Sequence, residues 1–189
     1  MLGALSAVIH VMKKYKAIAI PVTFTDDPPK FLTVRDRRYK DWIFVTGGSR
    51  RREVFAPLKT ALRELEEETR GVVILKEGEY VDFVFTVPEG ENELVYTVFV
   101  LFVDYDKQAQ EDTLKKFQDE KMKYAIRKIN KQPVKRTFDE NDLMSWDTLE
   151  EFKARSKKWE LIVDNVLKNP QFYDALEARK GDRKTFAVK

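Results

Sequence analysis

One stretch decides the fold of this chain: residues 57–71 read PLKTALRELEEETRG. Proline suits the first turn of a helix and glycine the position just after its end, so Pro57 and Gly71 bound a predicted helix. One side of this helix is apolar and is expected to pack on a sheet, because its aliphatic residues recur at helical spacing. These residues are Leu58, Ala61, Leu62 and Leu65.

Three carboxylates share one flank of the same helix. Glu64, Glu67 and Glu68 stand at i, i+3 and i+4, about a third of a turn away from the apolar side. Like charges at this spacing repel each other and destabilise a helix, and a hard divalent cation bound between them relieves the repulsion. The alternative is a solvated, glutamate-rich face, which is common on amphipathic helices.

The residues before this helix add a second component of a site. Residues 42–45 predict a short strand that runs into Gly47 and Gly48, and a short polar loop then leads to Pro57. Glycines allow the backbone to approach a phosphate closely. Because the acidic flank is expected beside such a turn, a role in catalysis is favoured over a solvated face.

This helix resembles the core of the Nudix box, a pattern written G-x5-E-x7-R-E-U-x-E-E-x-G-U, in which U is a bulky aliphatic residue. Arg63, Glu64, Leu65, Glu67 and Glu68 all fall where the pattern has them. The resemblance implies an α/β protein, a Nudix-type α/β/α sandwich with a mixed sheet. It also implies a hydrolase that uses Mg²⁺ or Mn²⁺ to cleave a diphosphate bond in a nucleoside-diphosphate-linked substrate.

The flanks of the helix depart from the box. Gly48 and Glu53 resemble its first two fixed positions, but Glu53 lies one residue closer to Gly48 and two residues farther from Arg63 than in the pattern. Arg70 occupies the position of the second glycine, and Gly71 follows one residue late. In the family this glutamate would hold the arginine of the box by a salt bridge, so the altered spacing leaves the role of Glu53 open.

The same resemblance assigns roles to the residues of the core. Glu64, Glu67 and Glu68 are the expected metal ligands. Glu67, Glu68 and Arg63 are expected to be catalytic, with Arg63 orienting the acidic cluster. The number of metal ions stays open.

A general base outside the box is expected, and Glu140 is the first candidate. It lies in residues 138–146, FDENDLMSW, which resemble the late E…W region of the family. Glu91 and Glu93, on a predicted hairpin turn, are alternatives. For each of the three, a solvated loop carboxylate is the competing interpretation.

Two arginine-rich turns give the clue to the substrate. One directly follows the glycine pair, and the other precedes the strand at 42–45. Arginine forks bind phosphates bidentately, so the turns favour a highly anionic substrate, although solvated basic turns are the simpler alternative. The residues expected to bind substrate are Gly47, Gly48, Arg50, Arg51, Arg37 and Arg38.

Our working hypothesis is hydrolysis of the 5′ cap of mRNA, because residues 67–71, EETRG, look most like Nudix proteins of large DNA viruses of the mRNA-decapping type. A house-cleaning pyrophosphatase acting on small nucleotides or inositol pyrophosphates is the alternative. A third hypothesis is a catalytically silent RNA- or protein-binding Nudix module. The intact, mutually repelling acidic triad argues against the silent module, since a pure binder has no need of it.

Composition narrows the kind of chemistry. The 189 residues are 43% hydrophobic, contain no cysteine and contain one histidine, His10. Disulfides, thiolate metal sites and multi-histidine zinc sites are therefore excluded, and oxygen ligands remain. The formal charge of +3 is only mildly basic. We expect a soluble protein of the cytoplasm (the host cytoplasm if it is viral), with a nucleotide-type or capped-RNA substrate, no DNA or membrane partner, and an open oligomeric state.

Hydrophobic periodicity outlines the other elements. A Nudix domain is expected at residues 1–155, with the box at about 48–72, and a helical C-terminal extension at 156–189, packed on the same domain. A helix is expected at 107–131, and a strand or turn at 138–146. Strands are expected at 15–24, 31–34, 42–45, 72–75, 80–87 and 94–105, the last two as a long hairpin.

Overall fold

The computed structural model describes residues 12–76 and 78–179, so His10 and the last ten residues of the predicted extension lie outside it. The strands are β1 (Lys13–Thr23), β2 (Lys30–Asp36), β3 (Trp42–Ile43), β4 (Val45–Gly48), β5 (Tyr80–Glu89), β6 (Asn92–Val103) and β7 (Asn141–Thr148). The helices are α1 (Pro57–Glu68), α2 (Lys107–Ile129), α3 (Leu149–Ala154), α4 (Glu160–Asn165) and α5 (Pro170–Arg179), and a 3₁₀ turn spans Arg136–Asp139.

The seven strands form one mixed sheet built around β1. Its path is β3-β2-β1-β6-β5, with β4 also paired to β1 and β7 to β2. β1 runs parallel to β6 along its whole length, from Lys13 opposite Glu93 to Thr23 opposite Val103. On its other edge β1 pairs antiparallel, first with β4 and then with β2. This arrangement puts the end of β4, with its two glycines, beside the first half of the central strand.

Helices cover both faces of the sheet, because side chains of β1 alternate between two cores. Ile18 and Ile20 enter a core closed by α3, α4 and α5. Ala17 and Ala19 enter a second core, closed by Leu65 of α1 and by residues of α2. The small alanines let α1 lie close to the sheet. The predicted α/β/α sandwich with a mixed sheet is confirmed.

The described part of the C-terminal extension completes a core. Ile162 of α4 and Phe172 of α5 are fully buried, and Leu176 is 8% exposed. These side chains join the same cluster as Ile18 and Ile20 of β1. Residues 156–179 therefore supply two of the three helices of one layer of the sandwich, while the boundary predicted at residue 155 stays a prediction.

The strand expected at 72–75 is wrong, because these residues form turns and irregular backbone. Val73 and Leu75 are nevertheless buried in the core under α1. The backbone N–H of Val73 donates to the Thr69 hydroxyl at 3.1 Å, so a side chain takes the place of a neighbouring strand. The hydrophobic run reflects burial and not strand pairing.

Two further expectations need correction at the ends of strands. Residues 42–45 are two strands, because Trp42 and Ile43 pair with β2, whereas Val45 pairs with β1. The segment expected at 138–146 begins with the 3₁₀ turn and becomes β7 only at Asn141. The long hairpin of β5 and β6 is confirmed, with Gly90 at φ +61° in its turn.

The long helix expected at 107–131 is confirmed as α2, but its apolar residues do not all pack. Phe117 is fully buried, whereas Met122, Ile126 and Ile129 are 60%, 52% and 79% exposed. Only the first half of α2 therefore contributes to the core. No helix in the described ranges combines the length and the apolarity needed to cross a membrane.

Candidate active site

Arg63 of α1 is the centre of the candidate site. Its Nε and Nη2 donate to the two carboxylate oxygens of Glu53 at 3.0 and 2.8 Å. Its Nη1 donates to Glu64 at 2.6 Å and to Glu67 at 3.3 Å, and its Nη2 also donates to the backbone carbonyl of Gly48 at 2.9 Å. Since a guanidinium does not lose its proton in proteins, this side chain fixes the carboxylates around a permanent positive charge.

Glu53 reaches Arg63 despite its altered spacing, because the loop before α1 folds into a tight turn. The N–H of Glu53 donates to the carbonyl of Arg50 at 2.7 Å, and the N–H of Arg50 donates to the Glu53 carboxylate at 3.1 Å. The Thr60 hydroxyl donates to the same carboxylate at 3.1 Å. Hydrogen bonding from Arg63 lowers the pKa of Glu53 to about 2. Glu53 is thus held ionised against the arginine.

Gly47 lets β4 and α1 approach each other at Glu64. A Cβ added to Gly47 would lie 1.9 Å from Cδ of Glu64, whereas one added to Gly48 would meet nothing within 4 Å. Burial raises the pKa of Glu64, Arg63 opposes the rise, and the charges of Glu67 and Glu140 add to it. The missing side chain at position 47 therefore makes room for one of the predicted metal ligands.

Glu68 is the most deeply buried of the three helix carboxylates, with 5% of its surface exposed. It accepts hydrogen bonds from Asn141 Nδ2 at 2.8 Å and from the N–H of Thr46 at 3.3 Å. Burial raises its pKa well above the ordinary value, and the charges of Glu64 and Glu140 raise it further. Sequence reasoning missed Asn141, whose only signal was its place directly after Glu140.

Glu140 lies close enough to the helix carboxylates for their charges to act on one another. Partial burial raises its pKa, and the charges of Glu67 and Asp36 raise it further. Of the alternative bases, Glu91 is exposed in the β5–β6 turn, and Glu93 pairs with Lys13 at 3.6 Å. Among the described residues, Glu140 is the candidate base that shares the electrostatic environment of α1.

The structure brings the two basic turns to different parts of this site. Arg50 donates to Glu67 at 3.0 Å with its side chain 61% exposed. Arg37 pairs with Asp139, and its backbone N–H donates to the carbonyl of Glu140 at 2.8 Å. Arg51 and Arg38 are both exposed, and the guanidinium group of Arg38 lies over the ring of Tyr39.

Glu64, Glu67, Glu68 and Glu140 form what we call the acidic group. Its chemistry suits a hard divalent cation. Its donors are carboxylate oxygens, and burial together with mutual repulsion raises the pKa of Glu64, Glu68 and Glu140, so added positive charge stabilises their ionised forms. In residues 12–76 and 78–179, however, no three acidic or histidine side chains converge at metal-binding distance. In this structure Arg63 donates to Glu64 and Glu67, while Asn141 donates to Glu68. The predicted ligand set therefore stays a prediction.

Comparisons with known proteins identify the architecture. The model of the family described as NUDIX domain matches residues 14–164. The structure of the Nudix domain of Shewanella oneidensis NrtR in complex with ADP-ribose is similar, with a TM-score of 0.53, 13% identity and 93% of each chain covered. A C. elegans Ap4A hydrolase has a TM-score of 0.51 and 12% identity, over 89% of this chain and 99% of that one. At these identities the likeness to solved structures shows the fold alone. A search of curated proteins finds no match.

Proposed function

This chain belongs to the Nudix domain family, and on that premise we propose that it hydrolyses the 5′ cap of mRNA. The family makes it a hydrolase acting on phosphorus-containing acid anhydrides, such as the diphosphate bonds of nucleotide-type substrates. In the proposed reaction, water adds to a phosphorus of the cap linkage and the bond from that phosphorus to the bridging oxygen breaks. The products are the diphosphate of the cap nucleoside and an RNA that keeps one phosphate at its 5′ end.

The proposed mechanism divides the work among the residues around Arg63. Glu64, Glu67 and Glu68 would hold Mg²⁺ or Mn²⁺, which lowers the pKa of bound water and neutralises charge on phosphate oxygens. Glu140 accepts the proton of the attacking water, since its raised pKa favours proton uptake. Arg63 holds the carboxylates of Glu64 and Glu67 in position through its hydrogen bonds.

The observation that carries the proposal is the pair of basic turns at the edge of the acidic group. Arg50 lies against Glu67, and the turn of Arg37 is hydrogen-bonded to Glu140. The side chains of Arg50 and Arg37 are 61% and 52% exposed, so both guanidinium groups are accessible to a substrate phosphate. Cations on two sides of the reaction centre suit a substrate with phosphates beyond the cleaved bond, such as capped RNA.

A small nucleotide-linked diphosphate is the second candidate. The similar structures supply the reason, because one contains ADP-ribose and another is named an Ap4A hydrolase. Both molecules contain a nucleoside joined through a diphosphate or longer phosphate chain. We rank this candidate second because Arg50 and Arg37 lie at different parts of the site, whereas each of these molecules carries its phosphates in one short chain.

One substrate panel separates the candidates. Cap-labelled RNA, ADP-ribose, Ap4A and inositol pyrophosphates are each incubated with the full chain at low salt, in Mg²⁺ and in Mn²⁺. The proposal expects release of the labelled diphosphate of the cap nucleoside, and no release by Glu67→Gln. Activity on the small substrates without any on capped RNA would reject decapping in favour of the second candidate. No metal-dependent turnover on the whole panel would leave only the binding-module hypothesis.

A further inference from the structure

A basic cavity of about 280 Å³ lies between α2, the turn after β2 and the segment leading into β7. We call it the Arg70 cavity. The cationic residues in its lining are Arg37, Lys40, Arg70, Lys121 and Lys128, and the acidic residues are Asp139 and Asp142. Five positive charges against two negative charges leave an excess of three, which favours an anionic ligand.

Arg70 is a buried cation with an unsatisfied donor. Its side chain is 1% exposed, and its nearest carboxylate, Asp139, lies 3.9 Å away. Two of its nitrogens donate to the carbonyls of Phe138 and Asn141, but its Nε has no hydrogen-bond partner among the described residues. Leaving a buried charged donor unpaired is costly, and a bound anion offsets that cost.

Each of the two carboxylates of the cavity is shared between at least two cations. Asp142 accepts from Arg35 Nε at 2.9 Å and from Lys40. Burial raises the pKa of Asp142, but these hydrogen bonds outweigh it and lower the pKa to about 2. Asp139 pairs with Arg37 and lies 3.8 Å from Lys128. Neither carboxylate pairs with Lys121, whose ammonium group, within the described residues, donates only to the backbone carbonyl of Asp142 at 2.9 Å.

The Arg70 cavity and the acidic group are neighbours along one segment of chain. Asp139 and Asp142 line the cavity. Between them in sequence, Glu140 acts electrostatically on Glu64, and Asn141 donates to Glu68. A polyanion with one diphosphate at the acidic group therefore has a second, cationic site within its reach.

We propose that the Arg70 cavity binds a phosphate group of the substrate that lies beyond the cleaved diphosphate. This inference rests on the proposed function, and it assigns Arg70, Lys121 and Lys128 to substrate binding. Arg70 stands where the box pattern has a glycine, and at φ +60° it adopts the backbone conformation that favours glycine. An arginine at this strained position is consistent with a side chain that the site requires.

Direct binding provides the first test. The full chain without divalent ions is titrated with inorganic pyrophosphate, followed by calorimetry, and compared with the double variant Lys121→Ala/Lys128→Ala. The matched control is Lys115→Ala/Lys116→Ala, two exposed lysines of the same helix. We expect the first pair to weaken binding by about 10-fold or more and the control pair to leave it unchanged. Equal affinities in the two double variants would overturn the proposal.

Kinetics provide the second test. They also distinguish a failure of the cavity proposal from a failure of the proposed function. In Lys121→Ala/Lys128→Ala, KM for capped RNA should rise by about 10-fold with kcat unchanged, while KM for a cap dinucleotide stays the same. An unchanged KM for capped RNA would overturn the proposed phosphate site. If the wild type does not hydrolyse capped RNA, decapping fails, and the pyrophosphate titration alone decides whether the cavity is an anion site.

Discussion

Glu67 and Glu68 have different surroundings, although both belong to the acidic flank of α1. Glu67 accepts from Arg50 and Arg63 and keeps 17% of its side chain exposed. Glu68 is almost fully buried against Asn141. An ionised carboxylate in such a buried place is costly without a cation, so a glutamate at this position is consistent with metal binding.

The first prediction follows for these two residues. Glu67→Gln and Glu68→Gln should each lower metal-dependent turnover on the order of 100-fold or more, because an amide is a weaker metal ligand than a carboxylate. The midpoint of thermal unfolding should change little, since glutamine keeps the side-chain volume. Glu66→Gln, one position away, serves as the control and should retain activity. Full activity in both test variants would refute the metal assignment.

Asp142 provides a prediction about acid stability. Its folded pKa of about 2, set by Arg35 and Lys40 against the effect of burial, lies below the unfolded value of about 3.9. The stabilisation is therefore present above pH 4 or so, and is lost as the pH falls through the folded pKa. Between pH 5 and pH 2.5, the free energy of unfolding measured with urea should fall by about 1–2 kcal/mol more in the wild type than in Asp142→Asn. The control variant is Asp104→Asn, at an exposed position, and its free energy of unfolding should fall by as much as that of the wild type. If Asp142→Asn showed the same fall as the wild type, the ion-pair explanation would be contradicted.

Among the elements, β4 and α1 approach each other closely at Gly47 and Glu64. Gly47→Ala should lower turnover by about 100-fold, because its new Cβ displaces the Glu64 carboxylate by an ångström or more. Gly48→Ala is the matched control, since a Cβ there meets nothing within 4 Å. Steady-state kinetics measure the turnover of both variants, and circular dichroism checks that both are folded. Equal activities would mean that Glu64 does not need its present position.

The elements also mark how far sequence reasoning reaches. α1 and the β5–β6 hairpin were predictable because their signals are local: helical spacing after Pro57, and a turn at Gly90. The partners of Arg70 and Glu68 were not, because they lie about seventy positions away along the chain. Box spacing alone left the role of Glu53 open, since spacing does not reveal that a tight turn brings its carboxylate back to Arg63. Periodicity identified buried residues but not their pairing, as the irregular segment at 72–75 demonstrates.

For the whole molecule, the last described helix is as much part of the fold as the sheet. Phe172 of α5 is fully buried, and its ring packs in a tilted arrangement against Phe31 of β2, with 5.9 Å between the ring centroids. Phe172→Ala should lower the free energy of unfolding by about 3–5 kcal/mol, because it leaves a cavity between helix and sheet. The exposed Asp174→Ala on the same helix is the control. Equal stabilities in chemical denaturation would show that α5 is not integral to the domain.

The pairing of β1 with β6 has a consequence for how the chain acquires its fold during synthesis. The central strand β1 starts at Lys13, but its parallel partner β6 begins only at Asn92, and the core on one face of β1 is completed only by α5. Contacts between such distant segments form slowly, because a long loop must close before they gain any stability. The apolar strand β1 therefore emerges from the ribosome long before β6 and α5, and until these two elements are made it is a segment that chaperones can recognise.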